Sequence, residues 1–182
     1  VPEADPSNGF LAVTFPDDEV AILPYNRTVR DLGGLSAQDF LDRVAESFDV
    51  VENPGAPGPT QAGEFDVYLP GGWKRLVAKK HLRSDDPVAG LDVAILQDNL
   101  LGPVLGIDDP RTDGRIDFVG GIRGTEYLER LVDSGVAAVA FALMATPVQA
   151  LLDVADAGEV MPPKSTWFEP KLRSGLFVHL LD

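Results

Sequence analysis

Positive charge is scarce in this sequence and unevenly placed. The 182 residues hold 29 acidic against 15 basic side chains, a net charge of −14. Yet Lys74, Arg75, Lys79, Lys80, His81 and Arg83 crowd into Trp73–Arg83 without a single acid. Lys164, Lys171 and Arg173 share Met161–Ser174 with only Glu169. Cations gathered in a negative molecule can hold a small anion such as a phosphate, provided that the two windows meet in space. The plainer reading makes each window a solvated edge strand kept soluble by lysine.

The second window has an unusual backbone. Pro162, Pro163 and Pro170 fix φ and stiffen the segment, which would then present Lys164, Ser165 and Thr166 together. An ammonium and two hydroxyls offer several donors to an oxyanion. Trp167 and Phe168 would anchor the loop or wall a site; an ordered structural loop is the alternative. Gly120-Gly121-Ile122-Arg123-Gly124-Thr125 joins a strand to a helix, so its amides and Arg123 could also cradle phosphate. It matches neither established glycine-rich phosphate motif, and a simple turn accounts for it. His81 would serve as a base or donor, or be a strand-end surface residue.

Other chemistries are excluded by residue type. The chain has no cysteine, which removes disulfides and thiolate metal sites and fits a reducing compartment such as the cytoplasm. No G-x-S-x-G occurs. Asp109 to Gly114 has acids and glycine at calcium-loop spacings, but Arg111 takes a ligand position and Gly120 replaces the closing glutamate. We therefore expect no metal site and no identifiable cofactor. A chain this acidic repels nucleic acid and anionic membranes alike. No apolar run approaches the ~18 residues of a membrane span, and the polar start resembles no signal peptide.

The elements that would position these residues follow from periodicity. Phe10–Phe15 and Val20–Leu23 read as a hairpin across Pro16-Asp17-Asp18. Ser36 caps a helix with Phe40, Leu41, Val44 and Phe48 on one face. Asn53–Thr60 is a Pro/Gly loop and the best internal break in a single domain spanning 1–182. A second hairpin pairs Phe65–Leu69 with Trp73–Lys79 across Pro70-Gly71-Gly72. Ser84-Asp85-Asp86-Pro87 should start a helix reaching Asn99, with Pro103 breaking it. A strand at Ile116–Val119, a helix at Thr125–Asp133, a buried strand at Val136–Leu143 and a helix from Thr146-Pro147 to Asp156 follow. Leu176–Leu180 closes as a strand holding His179. The expected class is α/β in the mixed α+β sense: a mixed sheet with two hairpins in the N-terminal part and α/β alternation in the C-terminal part.

Asp156-Ala-Gly-Glu-Val-Met-Pro-Pro-Lys-Ser-Thr-Trp-Phe-Glu-Pro-Lys171 with Ser174-Gly-Leu176 resembles the signature of the domain of unknown function 1015 family, found in bacteria and archaea. Leu91–Leu96, Val132–Gly135, Ala140-Phe141 and Ile22-Leu-Pro-Tyr-Asn-Arg27 resemble it too, many relatives carrying histidine in place of Asn26. The resemblance implies a longer protein whose N-terminal half has an Asp-Gly-His-His-Arg motif and a ParB-like fold that includes free serine kinases. That motif is absent here, so the chain, which starts at Val1 without a methionine, resembles the C-terminal half. The resemblance further implies the missing N-terminal half as partner, a homodimer as a second option, and ATP or ADP with Mg as cofactors of the full-length protein. Under it the chain is a structural or ligand-site-completing domain. Alternatively it is part of a serine-type kinase or other phosphate-ligand enzyme, to which Lys164, Ser165, Thr166, Arg27 and His81 would contribute.

Overall fold

One tight turn builds the hairpin at the heart of the fold. Strands β4 (Glu64–Leu69) and β5 (Gly72–Ala78) pair from Leu69↔Gly72 to Glu64↔Val77. Gly71 and Gly72 have φ of 119° and 121°, a region closed to side-chain-bearing residues. The computed structural model describes residues 5–14, 16, 19–52, 54–171, 173 and 175–180. Around the hairpin lie β2 (Tyr25–Val29), β3 (Phe48–Glu52), β6 (Ile116–Gly120) and β7 (Val139–Ala142) in the order β3-β5-β4-β7-β2-β6. Every described ladder of this sheet is antiparallel, so the mixture lies in the α+β composition and not in strand direction.

The expected alternation over the C-terminal part becomes a split β-α-β unit. Strands β6 and β7, joined by α3 (Thr125–Asp133), run the same way because each is antiparallel to β2 between them. Side chains of β7 divide by parity. Val139 and Phe141 enter the core with Phe40 and Val44 of α1 (Ala37–Ser47) and with Leu96 of α2 (Asp92–Leu96). Ala140 and Ala142 meet Leu128 and Val132 of α3, flanked by Tyr68 and Trp73. The cap on α1 is as the sequence predicts: Ser36 Oγ accepts from Asp39 N at 3.1 Å and donates to Asp39 Oδ2 at 2.6 Å.

Several expectations need correction. Residues 10–14 are exposed and form no strand, although β1 (Ala21–Leu23) does; Phe15, Asp17 and Asp18 of the expected hairpin lie outside the described residues. Residues 84–91 form turns instead of a helix. Asp86 caps a single turn by accepting from Val88 N and Ala89 N at 2.9 and 2.8 Å, and the backbone folds so tightly that a Cβ on Gly90 would lie 2.5 Å from Ser84 O. The helix begins only at Asp92 and passes into a wider π-type turn, Gln97–Leu101, before Pro103. Residues 176–180 are exposed and not a strand; His179 Nε2 lies 2.8 Å from Pro6 O. An apolar run needs a partner edge to become a strand, and neither terminal run has one in the described structure. Residues 54–60 form a loop as expected, Asn53 lying outside the described residues.

Contacts divide the chain into one unit spanning Ile22–Trp167 and another made of Val1–Ala21 with Phe168–Asp182, the divisions falling inside β1 and β8 (Trp167–Glu169). The larger unit also contains α4 (Val148–Asp156). Among the described residues, none of the buried side chains belongs to the terminal unit.

A buried ionic network ties residues 58–60 to the hairpin. Arg75 donates to Asp66 Oδ1 and Oδ2 at 2.7 and 3.0 Å and to Gly58 O at 2.8 Å, and lies 3.5 Å from Glu64 Oε2. Gly58 N donates back to Asp66, while Thr60 and Gln61 satisfy Glu64. Burial pushes the Glu64 carboxyl up, but the Thr60 and Gln61 donors and Arg75 outweigh it and hold it below its ordinary value. Its contribution to stability is therefore complete above the unfolded pKa and lost as pH falls through the lower folded one. Arg75→Met strands two carboxylates and should cost about 3 kcal/mol in urea unfolding at neutral pH. Glu64→Gln should flatten the acid limb of the stability–pH curve.

Candidate functional site

The cations of β5 and Lys79 just after it are occupied by the fold. Lys74 pairs with Glu52, Arg75 with Asp66 and Glu64, and Lys79 Nζ donates to the carbonyls of Ala45 and Glu46 at 2.6 and 3.0 Å. His81 sits exposed in a 3-10 turn, Lys80–Leu82. None of these side chains lines the cleft of about 540 Å³ that opens on the α1–α2 side of the sheet. The two basic windows therefore do not share that hollow.

The cleft is built by different elements. Arg27 of β2 and Phe118 of β6 lie at its sheet side; Val93 and Ala94 of α2 and Gln97, Asp98 and Leu101 of the π-type turn wall it; Asp108–Arg111 and Pro162-Pro163 complete the lining. Period-2 alternation dictates the placement of Arg27. Val29 of the same strand is fully buried on that face, so Arg27, two residues earlier, enters the same layer and is only 4% exposed. Its cross-strand neighbours are Phe118 and Phe141. The guanidinium carbon lies 5.5 Å from the Phe118 ring centre.

Arg27 has no carboxylate partner among the described residues. Its Nη1 donates to the carbonyl of Tyr25 and its Nη2 to that of Lys164 at 3.0 Å. Burial lowers its pKa to about 10. The Tyr25 phenol opposes that shift only in part, and the neutral carbonyls leave the rest of the desolvation cost uncompensated. A second cation shares the Phe118 ring: Lys164 Nζ is 5.7 Å from both the Phe118 and Tyr25 ring centres, although Lys164 is not among the residues that line the cleft. Lys164 is exposed, adopts φ 60°, and forms no ion pair with the described residues. A buried cation that no carboxylate pairs with among the described residues can accept an anion, which would restore to Arg27 what burial took away.

The loop that carries Lys164 is held from within. Ser165 is buried and its Oγ donates to the carbonyl of Pro162, while Thr146 Oγ1 donates to Ser165 O at 2.9 Å. Ser165 thus shapes the loop, and the half-buried Thr166 does not line the cleft. Lys171 belongs to the terminal unit. Arg123 is exposed at the start of α3, 4.8 Å from the Tyr127 ring centre. The glycine-rich segment is a turn: Gly121 N donates to Pro24 O at 2.7 Å and Gly124 N to Gly121 O at 3.0 Å. Gly120 has no room for a side chain, since a Cβ there would lie 2.6 Å from the Trp167 ring. Asn26 faces away from Arg27, its Oδ1 accepting from Leu143 N at 3.0 Å, which makes it a clip on the end of β7. Asp109 and Asp113 are taken up by Arg111 and Arg115, and no group of metal-ligating residues occurs among those described.

Sequence reading missed the α2 wall and the Asp108–Arg111 rim, whose contribution depends on long-range packing. The available signal was Arg27 itself, a cation in the buried register of an alternating strand.

The sequence profile of a family described as "Protein of unknown function (DUF1015)" matches residues 2–94. No curated protein matches the chain. Among solved structures it is similar to "Free serine kinase in complex with AMP", with 16% identity, a TM-score of 0.52, and coverage of 84% of this chain and 55% of that one. It is also similar to "Conserved hypothetical protein from Pyrococcus furiosus", with 17% identity, a TM-score of 0.52, and coverage of 84% and 57%. The chain thus spans little more than half the length of these structures, and at such identity the likeness is one of fold.

The buried Arg27 and the half-buried Arg75 should behave oppositely when neutralised. Arg27→Met removes a desolvated charge and should change the urea midpoint far less than Arg75→Met does. With its folded pKa depressed, Arg27 should make the parent chain gain stability as pH rises from about 10 towards 12, since the unfolded state then binds more protons. The Met variant should lack that gain in alkaline urea titrations.

Proposed function

Because the chain belongs to the DUF1015 family of proteins of unknown function, we propose a role defined by its cleft: binding the anionic group of a small, phosphate-type ligand. The observation that carries this reading is Arg27, buried in the cleft lining with no carboxylate bonded to it among the described residues and held by the carbonyl of Lys164. A cation kept in that state at a cost to stability is the arrangement expected where a ligand supplies the counter-charge. The cleft volume of about 540 Å³ suits a metabolite and is too small for a macromolecular groove.

The chain in this reading is a ligand-site domain of a longer polypeptide, with the remaining part closing over the cleft. The fold shared with a free serine kinase in complex with AMP supports a phosphate-handling enzyme as the larger context. Phosphoryl transfer rests on positioning and charge neutralisation, which Arg27 and Lys164 supply. The groups that would attack or accept a phosphoryl group would come from the rest of that polypeptide.

Thermal unfolding of the 182-residue chain with phosphate, AMP, ADP and ATP tests the reading. A ligand at 100 times its dissociation constant should add about 2.7 kcal/mol. Arg27→Met should abolish the shift and Lys164→Met should reduce it, both variants remaining folded by circular dichroism. No shift with any phosphate compound, or an undiminished shift in Arg27→Met, would refute it.

A further inference from the structure

Much of the apolar surface that the fold leaves uncovered lies in the terminal unit. Phe10, Phe177 and Val178 are 86%, 73% and 74% exposed, and Leu11, Leu176 and Leu180 are each more than half exposed. The two runs that carry them meet within that unit. His179 Nε2 lies 2.8 Å from Pro6 O, and a Cβ on Gly9, next to Phe10, would lie 3.8 Å from the His179 ring. At the sizes of Phe, Leu and Val these exposures amount to roughly 800 Å², the area that each partner gives to a standard protein interface. Single exposed apolar residues are ordinary on a soluble surface, whereas a group of this area marks an interaction site.

Charge and backbone say what covers it. Residues 6–14 and 175–180 hold no acidic or basic side chain except His179, in a chain of net charge −14. A partner recognised by its charge finds nothing to pair with there. Both runs are β-forming in composition, and neither joins a strand edge in the described structure. Each can supply the edge that the other lacks, but only across two molecules, since within one chain the two stay unpaired. We propose that this face joins two copies of the chain about a twofold axis, residues 10–13 of one protomer lying along residues 176–180 of its partner and the reverse. Such an isologous contact uses both runs of both protomers and closes at two copies.

Sedimentation of the 182-residue chain over about a hundredfold range of concentration, with amide hydrogen exchange on the same samples, tests the proposal. A dimer should form. It should tighten as salt rises from about 0.05 M to about 0.5 M, because salt screens the repulsion between two acidic chains and leaves apolar contacts intact. Amides of residues 10–13 and 176–180 should be protected in the dimer alone. The double variant Phe10→Asp, Phe177→Asp should weaken association about a hundredfold and remove that protection. Its circular dichroism should match the parent's, because among the described residues no buried side chain lies in this unit. Val51→Asp, on the exposed edge strand β3, should leave the dimer intact. A monomer at every concentration, a dimer that survives the double variant or is dissociated by Val51→Asp, or open-ended oligomers would overturn the proposal.

Discussion

A guanidinium buried against aromatic rings without a carboxylate is the constraint around which the cleft is organised. Arg27 could not stay in the core layer of β2 unless something satisfied its donors. Two carbonyls do so, and one of them is that of Lys164, 137 residues away in sequence. The hydrogen bond therefore holds the proline-rich loop against the sheet and, with it, the left-handed residue that carries the second cation. Ser165 and Thr146 complete the brace. The loop's stiffness and the position of Arg27 have a common origin.

Arg75 shows what an arginine does when its charge is matched. It lies on the opposite face of the same sheet, bonded to Asp66 with Glu64 nearby, and the Asp66 hydrogen bonds raise its pKa above the ordinary arginine value while burial opposes them. Arg27 shifts the other way because burial dominates, opposed only by the Tyr25 phenol and by no carboxylate among the described residues. One face of the sheet thus spends its buried charge on closing residues 58–60 over the hairpin, and the other leaves a charge open to a cleft. The two environments thus push their arginines in opposite directions. A charge left uncompensated marks a site more reliably than the count of lysines along a strand.

Local chemistry was legible wherever it acts over a few residues. The Ser36 cap, the Pro70-Gly71 turn, the α3 boundaries and the Pro103 break are all set by neighbours in sequence, and all appear where residue types place them. The reading failed where a partner was required. Residues 10–14 and 176–180 are β-forming in composition but have no sheet edge to join, and Asp86 caps one turn because the chain doubles back at Gly90 instead of continuing as a helix.

For the site, composition and spacing alone established an acidic chain without cysteine, with few cations, and with a stiff loop bearing Lys164; these are properties of the covalent chain and need no fold. Which cations are free to act was decided by tertiary structure. Sheet pairing sets Lys74 against Glu52 and Arg75 against Asp66, and it places Phe118 and Phe141 on either side of Arg27. Charge compensation depends on distances across strands and loops far apart in sequence, so a side chain's type announces a charge, and only packing determines whether that charge is already answered.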